Sequence, residues 1–393
     1  MAQSQGTDLI LLGTVVFLSL FGLLMVYDAS QFEAFQSFGD KYYYIKQQSI
    51  SFILGMLLLG FCSLFNYHYL QKLAVPILVV SLVLLLFVFI PGLGISAYGA
   101  HRWLKVLGFT IQPTEILKLA TVVFLATLFQ KKVKSLPFFL LLGLISIIVG
   151  ILQRDLGSAI VCSLIAFSIY FIAGAPLTYF FGILATGVVA VIGLIMAAPY
   201  RIRRVLAFLD PFADPQGYSY HISQVLIALG SGGLLGVGIG QSRQKFAYIP
   251  EVTTDSIFSI VGEELGFVGS LVLISLFAVL VIRGLKIAQS STDVFGKLLA
   301  AGLTLWLGIQ AAVNIAAMVS LVPLTGVPLP FISYGGSALV ANLVAVGLLL
   351  NISKQAKIQN KEFLQNRVFL QNKDILNENI INRITFYSCT SGN

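Results

Sequence analysis

Runs of some twenty apolar residues recur along this chain, and no other feature constrains its fold so strongly. The hydrocarbon core of a bilayer takes about 20 helical residues to cross. Ten segments qualify: residues 9–27, 49–65, 73–90, 114–130, 136–152, 156–173, 177–198, 257–282, 298–322 and 328–352. Without water at that depth, each segment must satisfy its own backbone polar groups, which makes it a helix. Composition agrees, because 58% of the chain is hydrophobic and only 10% charged, where soluble domains carry about 25% charge. The expected fold is an all-α polytopic membrane protein of about ten transmembrane helices. A long extracytoplasmic loop, about 200–256, separates the seventh helix from the eighth. The first run is too long for a signal-peptide core and has no small-residue cleavage site, so it reads as a retained helix. Residues 1–353 form the membrane domain, and 354–393 read as a polar cytoplasmic tail without a clear helical stripe.

Orientation follows from lysine and arginine in the short loops. With a cytoplasmic N-terminus, the inner segments hold Lys72, Lys131, Lys132, Lys134, Arg283, Lys286, Lys297 and the tail lysines from Lys354 on. The outer short loops hold Lys41, Lys46, Arg102, Lys105 and Arg154, and the long loop adds Arg201, Arg203, Arg204, Arg243 and Lys245. Both termini are therefore placed in the cytoplasm. The bases gathered on the outer face run against the usual bias and point to an anionic ligand there. The net charge of +8 suits a neighbour of anionic lipid or a phosphate binder.

Charged groups near a span are costly and so mark candidate sites. Glu115 and Lys118 stand three residues apart at the start of the fourth segment, on one helix face. They read either as an internal ion pair or as the lining of an outward-facing polar cavity. Pro113 suits the first helical position, and Gln112 could cap it. Asp255 precedes the eighth segment, where it is either a helix cap or a general base at the membrane surface. Glu251 lies close by, whereas Glu263 and Glu264 read as helix-packing residues. Arg102 and Lys105, on either side of Trp103, with Arg243 and Lys245, suit phosphate oxygens or lipid headgroups.

The glycine run at 230–240 lacks a G-K-[ST] ending and the strand–turn–helix context of a nucleotide loop, so it reads as sharp turns and close backbone approach. Cys62, Cys162 and Cys389 form neither a disulfide framework nor a metal-ligand spacing. His68, His101 and His221 have no metal-ligand spacing either, so the sequence defines no metal site.

Several ordered blocks resemble the SEDS family (shape, elongation, division and sporulation), most closely its FtsW-like division branch. They are GLLMVYDAS at 22–30, RWL at 102–104, QPTEILK at 112–118, DPFADPQGY at 210–218, the stretch from 230 to 251, GEELGFVG at 262–269 and PLPFISYGGS at 328–337. The resemblance covers residues 9–353. It implies a peptidoglycan glycosyltransferase that uses lipid II, the undecaprenyl-diphosphate-linked disaccharide-pentapeptide, on the outer face of the bacterial inner membrane. It further implies a class B penicillin-binding protein and other division-complex proteins as partners, and no nucleic acid. The family's essential acid falls on Asp255, and its polar cavity on Glu115 and Lys118 with Arg102, Trp103 and Gln112 beside them. Arg243, Lys245, Arg102 and Lys118 become candidates for stabilising the departing diphosphate. A divalent cation, magnesium or manganese, could share that work. The chain departs from the pattern in TTDS at 253–256 (usually HTDF), at His221 (usually Gln), at Arg154 (usually Pro) and in its Asn-rich tail. Two other classes fit a chain like this, a lipid II flippase and a non-catalytic division scaffold. The outer clustering of charge and the lack of a visible inverted repeat argue against the flippase, and the scaffold leaves Asp255 and the basic patch unexplained.

Overall fold

The computed structural model describes residues 7–97, 100–106, 109–131, 133, 135–196, 199–246 and 249–356. The tail from 357 on, read above as a polar extension, lies outside them.

Each of the ten expected segments contains a helix. In chain order these are α1 (Leu9–Phe38), α2 (Tyr43–Leu64), α3 (Tyr69–Phe87), α4 (Pro113–Leu128), α5 (Ser135–Leu152), α6 (Leu156–Ile172) and α7 (Leu177–Met196). The long loop carries two short helices, α8 (Pro199–Leu209) and α9 (Tyr220–Gly232), before α10 (Ile257–Ser290), α11 (Val294–Met318) and α12 (Gly336–Ala356). Among the described residues, 7 helices are long and apolar enough to cross a membrane by themselves. The buried core runs along α4, α6 and α11, while α2 and α3 leave much of their apolar surface exposed, as lipid-facing helices do.

Three features were not legible in the periodicity. A three-stranded antiparallel sheet stands between α3 and α4, formed by β1 (Gly94–Ala97), β2 (Ala100–Val106) and β3 (Phe109–Ile111). The all-α expectation needs this addition, and the sheet carries Arg102 and Trp103. The last helix begins at Gly336, not 328, because the segment 319–335 is an irregular loop folded back into the bundle. Lastly, α10 is broken at Gly266, whose φ is 66°. The glycine run repairs the break. Val237 N–H donates to Glu263 O (3.0 Å) and Gly238 N–H to Glu264 O (3.0 Å), while Phe267 N–H donates to Gly233 O (2.9 Å). A β-carbon on Gly236 would stand 2.1 Å from Glu264 O, so only glycine permits this approach.

The chain sorts its charge by end. At one end Arg283 binds Asp8, the cap of α1, with Nη2 2.6 Å from Oδ2. Tyr67 donates to Asp293 and Asn351 Nδ2 to Ser63 O (3.0 Å) at that same end. The other end collects Asp255, Arg102, Asp155 and Arg204.

Candidate active site

Asp255 lies in the turn before α10 and is buried. Its main-chain oxygen accepts from Asn314 Nδ2 (2.7 Å), and the same amide nitrogen donates to Val327 O (2.8 Å). Tyr334 N–H donates to Thr253 O (2.8 Å). One asparagine on α11 thus ties the turn to the irregular loop. The carboxylate has Thr254 Oγ1 3.2 Å from Oδ1, and that hydroxyl is also 2.8 Å from Glu251 Oε2. Gly326, at φ +69°, faces the space beside the carboxylate. A β-carbon there would lie 3.7 Å from Asp255 Oδ2 and 3.8 Å from Arg102 Nη1. Carboxylate and guanidinium therefore both border the space over this glycine. Burial pushes the Asp255 carboxyl above the ordinary aspartate value, and the hydrogen bonds of the turn and then the Arg204 and Arg102 charges partly offset this.

Arg102 reaches this point from β2. Its Nε is 3.4 Å from Asp155 Oδ2, and Nη2 donates to Arg154 O (3.4 Å). Asp155 is itself fixed as the cap of α6, accepting from Ser158 N–H (3.2 Å) and Ser158 Oγ (2.8 Å). Arg204 on α8 donates from Nη1 to Leu324 O (3.2 Å). Buried Arg201 uses its guanidinium on Leu194 O (2.8 Å), Gly150 O (2.9 Å) and the Tyr200 hydroxyl (2.9 Å), so it pins α8 to α5 and α7. Next to these groups opens a cavity of about 340 Å³. Arg102, Arg154, Arg201 and Arg204 line its polar part, and Leu156, Ile160, Leu164 and Val313 line its apolar part. Guanidinium groups beside an apolar wall match an amphiphile with an anionic head.

The other expected residues fall elsewhere. Glu115 and Lys118 do not line this cavity. Lys118 Nζ is 2.7 Å from Glu115 Oε1 and 2.6 Å from Gln310 Oε1, and lies over the Trp306 ring at 5.4 Å. Both residues are 2% exposed. The two charges form the internal ion pair. The network still serves the site, because Gln310 Nε2 donates to Pro328 O (2.9 Å) one turn from Asn314.

Lys245 is likewise buried and paired. Its ammonium lies 2.8 and 2.9 Å from the Asp28 carboxylate oxygens and 3.2 Å from Glu264 Oε1, all buried. Glu263 and Glu264 hold the loop before it, accepting from Arg243 N–H (3.1 Å) and Ser242 N–H (3.1 Å). Arg243 and Glu251 have exposed side chains. Trp103 follows Arg102 on β2 and pairs with Ile95, next to a register shift between Ile95 and Ser96 that leaves Arg102 without a partner residue across the strand pair. Gln112 makes no side-chain cap. Its N–H donates to Ser337 Oγ (3.1 Å), and the helix start rests on Pro113, which has no N–H to satisfy.

Sequence reading missed Arg204, Asn314, Gln310 and Gly326. Arg204 was visible only as one of several bases on the outer loop. Asn314 and Gln310 stand four residues apart on an apolar helix, a spacing that sets both on one face.

A family model described as cell cycle protein, covering FtsW, RodA and SpoVE, matches residues 8–358. A probable peptidoglycan glycosyltransferase FtsW of Geobacter sp. (strain M18) is 40% identical over 368 residues, covering 91% of this chain and 99% of the relative. Stage V sporulation protein E of Bacillus subtilis is 39% identical over 362 residues, covering 90% and 99%. A solved structure on the coordination of polymerization and crosslinking by a peptidoglycan synthase complex matches with TM-score 0.72 and 28% identity, over 89% of this chain and 98% of that one. The crystal structure of Thermus thermophilus rod shape determining protein RodA matches with TM-score 0.64 and 27% identity, over 89% and 97%.

Proposed function

The chain belongs to the FtsW, RodA and SpoVE family of cell cycle proteins, and from that membership we infer that it is a peptidoglycan glycosyltransferase of cell division. Its substrate on this reading is lipid II, polymerised into glycan strands at the outer face of the cytoplasmic membrane. The observation that carries the proposal is the buried Asp255 carboxylate, which shares the space over Gly326 with Arg102, beside a cavity lined by arginines and by apolar side chains.

In the proposed step the donor's polyprenyl chain lies against the apolar wall, and its diphosphate meets the guanidinium groups of Arg102, Arg154 and Arg204. Asp255 takes the proton from the 4-hydroxyl of the acceptor's GlcNAc. The oxygen attacks the anomeric carbon of the donor's MurNAc and inverts it. The bond to the diphosphate breaks, and its electrons leave with undecaprenyl diphosphate. Fixed positive groups stabilise the charge that grows there, at no cost of reorganisation. A carboxylate is a weak base near neutral pH, and burial strengthens Asp255 for the task.

A divalent cation could share in charge neutralisation. Among the described residues no three His, Cys, Asp or Glu side chains form a metal cluster. Asp255 and Glu251, which meet at Thr254, would hold magnesium or manganese only together with substrate phosphate oxygens, the usual habit of magnesium. The lysine and arginine distribution supports cytoplasmic termini, which sets Asp255 on the outer side. The partner we propose is a class B penicillin-binding protein, within a larger division complex.

The test is polymerisation of purified lipid II by the chain with that partner, wild type against Asp255→Ala. Long strands from wild type only are expected. Turnover by the variant would remove Asp255 as the base. No product from folded wild type, beside an active control polymerase, would shift the reading to lipid transport or scaffolding.

A further inference from the structure

The turn that carries Asp255 has a second anchor. Asn314 holds it from α11, and α9 approaches from the other side. His221, in the first turn of α9, has Nε2 2.7 Å from Ser256 Oγ. Ser256 follows Asp255 directly and is fully buried. Its hydroxyl also lies 3.2 Å from Pro250 O, and its N–H donates to Glu251 O (3.3 Å). The Pro250 carbonyl can only accept, so it takes the single hydroxyl proton. The second bond of Ser256 Oγ must then come from an Nε2–H on His221, which assigns the tautomer. Burial, and next the Arg204 charge, lower the His221 pKa to about 4, so the ring is neutral at working pH. One link therefore runs from α9 through imidazole and hydroxyl to the carbonyl that opens the turn at 250, and Asp255 lies inside the segment it closes.

We propose that His221 is a positioning residue for the transfer reaction: through Ser256 it fixes the 250–256 turn so that the Asp255 carboxylate keeps its place in the space it shares with Arg102. The proposal rests on the reading of Asp255 as the base. A hydrolytic Ser–His pair is the wrong description, because Ser256 is sealed from solvent and its proton is committed to Pro250 O. The pair holds the base and does no bond-making of its own. Its effect is on turnover, since loosening the turn displaces the base from the acceptor hydroxyl while the arginine-lined cavity that binds the donor stays intact.

The experiment measures initial polymerisation rates against lipid II concentration for the full chain with its partner. His221→Ala and Ser256→Ala should each lower kcat about 10-fold with KM within about twofold of wild type. The double variant should be no slower than the slower single, because both changes cut one link. His221→Gln, whose amide N–H extends to the place of the imidazole Nε2–H, should recover to within about threefold of wild type. Thermal unfolding in detergent accompanies each variant, and Ser256→Ala keeps the test open if His221→Ala does not fold. Wild-type kcat in both single variants, losses that multiply in the double variant, or His221→Gln as slow as His221→Ala would overturn the proposal. Asp255→Ala, run alongside, separates the two ideas. Turnover there removes the base itself, whereas an inactive Asp255→Ala with an unaffected His221→Ala removes only the positioning role.

Discussion

Gly326→Ala tests the geometry of the site while asking little of the fold. At φ +69° an L-residue costs about 1–2 kcal/mol relative to glycine. The new methyl would find Asp255 Oδ2 at 3.7 Å and Arg102 Nη1 at 3.8 Å, both ordinary van der Waals separations, so no backbone has to move. Stability should therefore fall by the backbone term alone. Activity should fall much further. The methyl enters the space that carboxylate and guanidinium share, where the proposed mechanism brings the acceptor hydroxyl to Asp255. Displacing a reacting group by about 1 Å can cost on the order of 100-fold in rate. The expected result is a folded protein with a small drop in Tm and roughly 100-fold slower polymerisation. Gly347→Ala is the control. Its β-carbon would meet Leu59 O at 2.6 Å in the α2–α12 contact. Such overpacking costs about 1–3 kcal/mol without touching the site. Lipid II polymerisation and thermal unfolding of both variants decide the matter. Wild-type turnover by Gly326→Ala would refute the placement of the reacting atoms, as would a rate loss in folded Gly347→Ala equal to that of Gly326→Ala.

Other changes separate structural charges from functional ones. Lys118→Met strands Glu115 in the core and should cost about 3–5 kcal/mol, and adding Glu115→Gln should return a good part of it; unfolding midpoints of the single and double variants test this. Lys245→Met leaves Asp28 and Glu264 facing each other without a cation, so folded yield should drop while the KM for lipid II in the surviving fraction stays unchanged. A raised KM in a stable Lys245→Met protein would return that lysine to the diphosphate. The rate should rise with pH through the Asp255 ionisation, because the proposed mechanism uses the charged form as base, and burial sets that limb above the ordinary aspartate value. Arg204→Met removes a charge that pulls the Asp255 pKa down, so the limb should move to higher pH, and a limb that stays in place would count against their coupling. Stability carries the opposite sign: the folded state prefers protonated Asp255, so this contribution is present at low pH and is lost as pH rises through the raised value.

Much of this protein was open to sequence reasoning, because the dominant force is indifferent to detail. An apolar run of membrane length must be a helix wherever it packs, and all ten runs hold one. The placement of charge was legible for the same reason, since a carboxylate or guanidinium at the bilayer edge has few tolerable positions. Asp255 and Arg102 stood out on those grounds. What a charge is paired with could not be read in this way. Lys118 and Lys245 resembled Arg102 as basic residues near the outer face, but packing enclosed both between acceptors and left the arginines at the cavity. Partners 217 residues apart, as Lys245 and Asp28 are, leave no trace in local spacing. Nor does the double duty of Asn314, which holds the turn and the loop with one amide because the break between α11 and α12 folds back beside it. Hydrophobicity along the chain determined the helices and the end at which charge collects. Only the tertiary structure decided which of those charges neutralise one another and which are left facing a substrate, because that depends on distances of a few ångströms between segments remote in sequence.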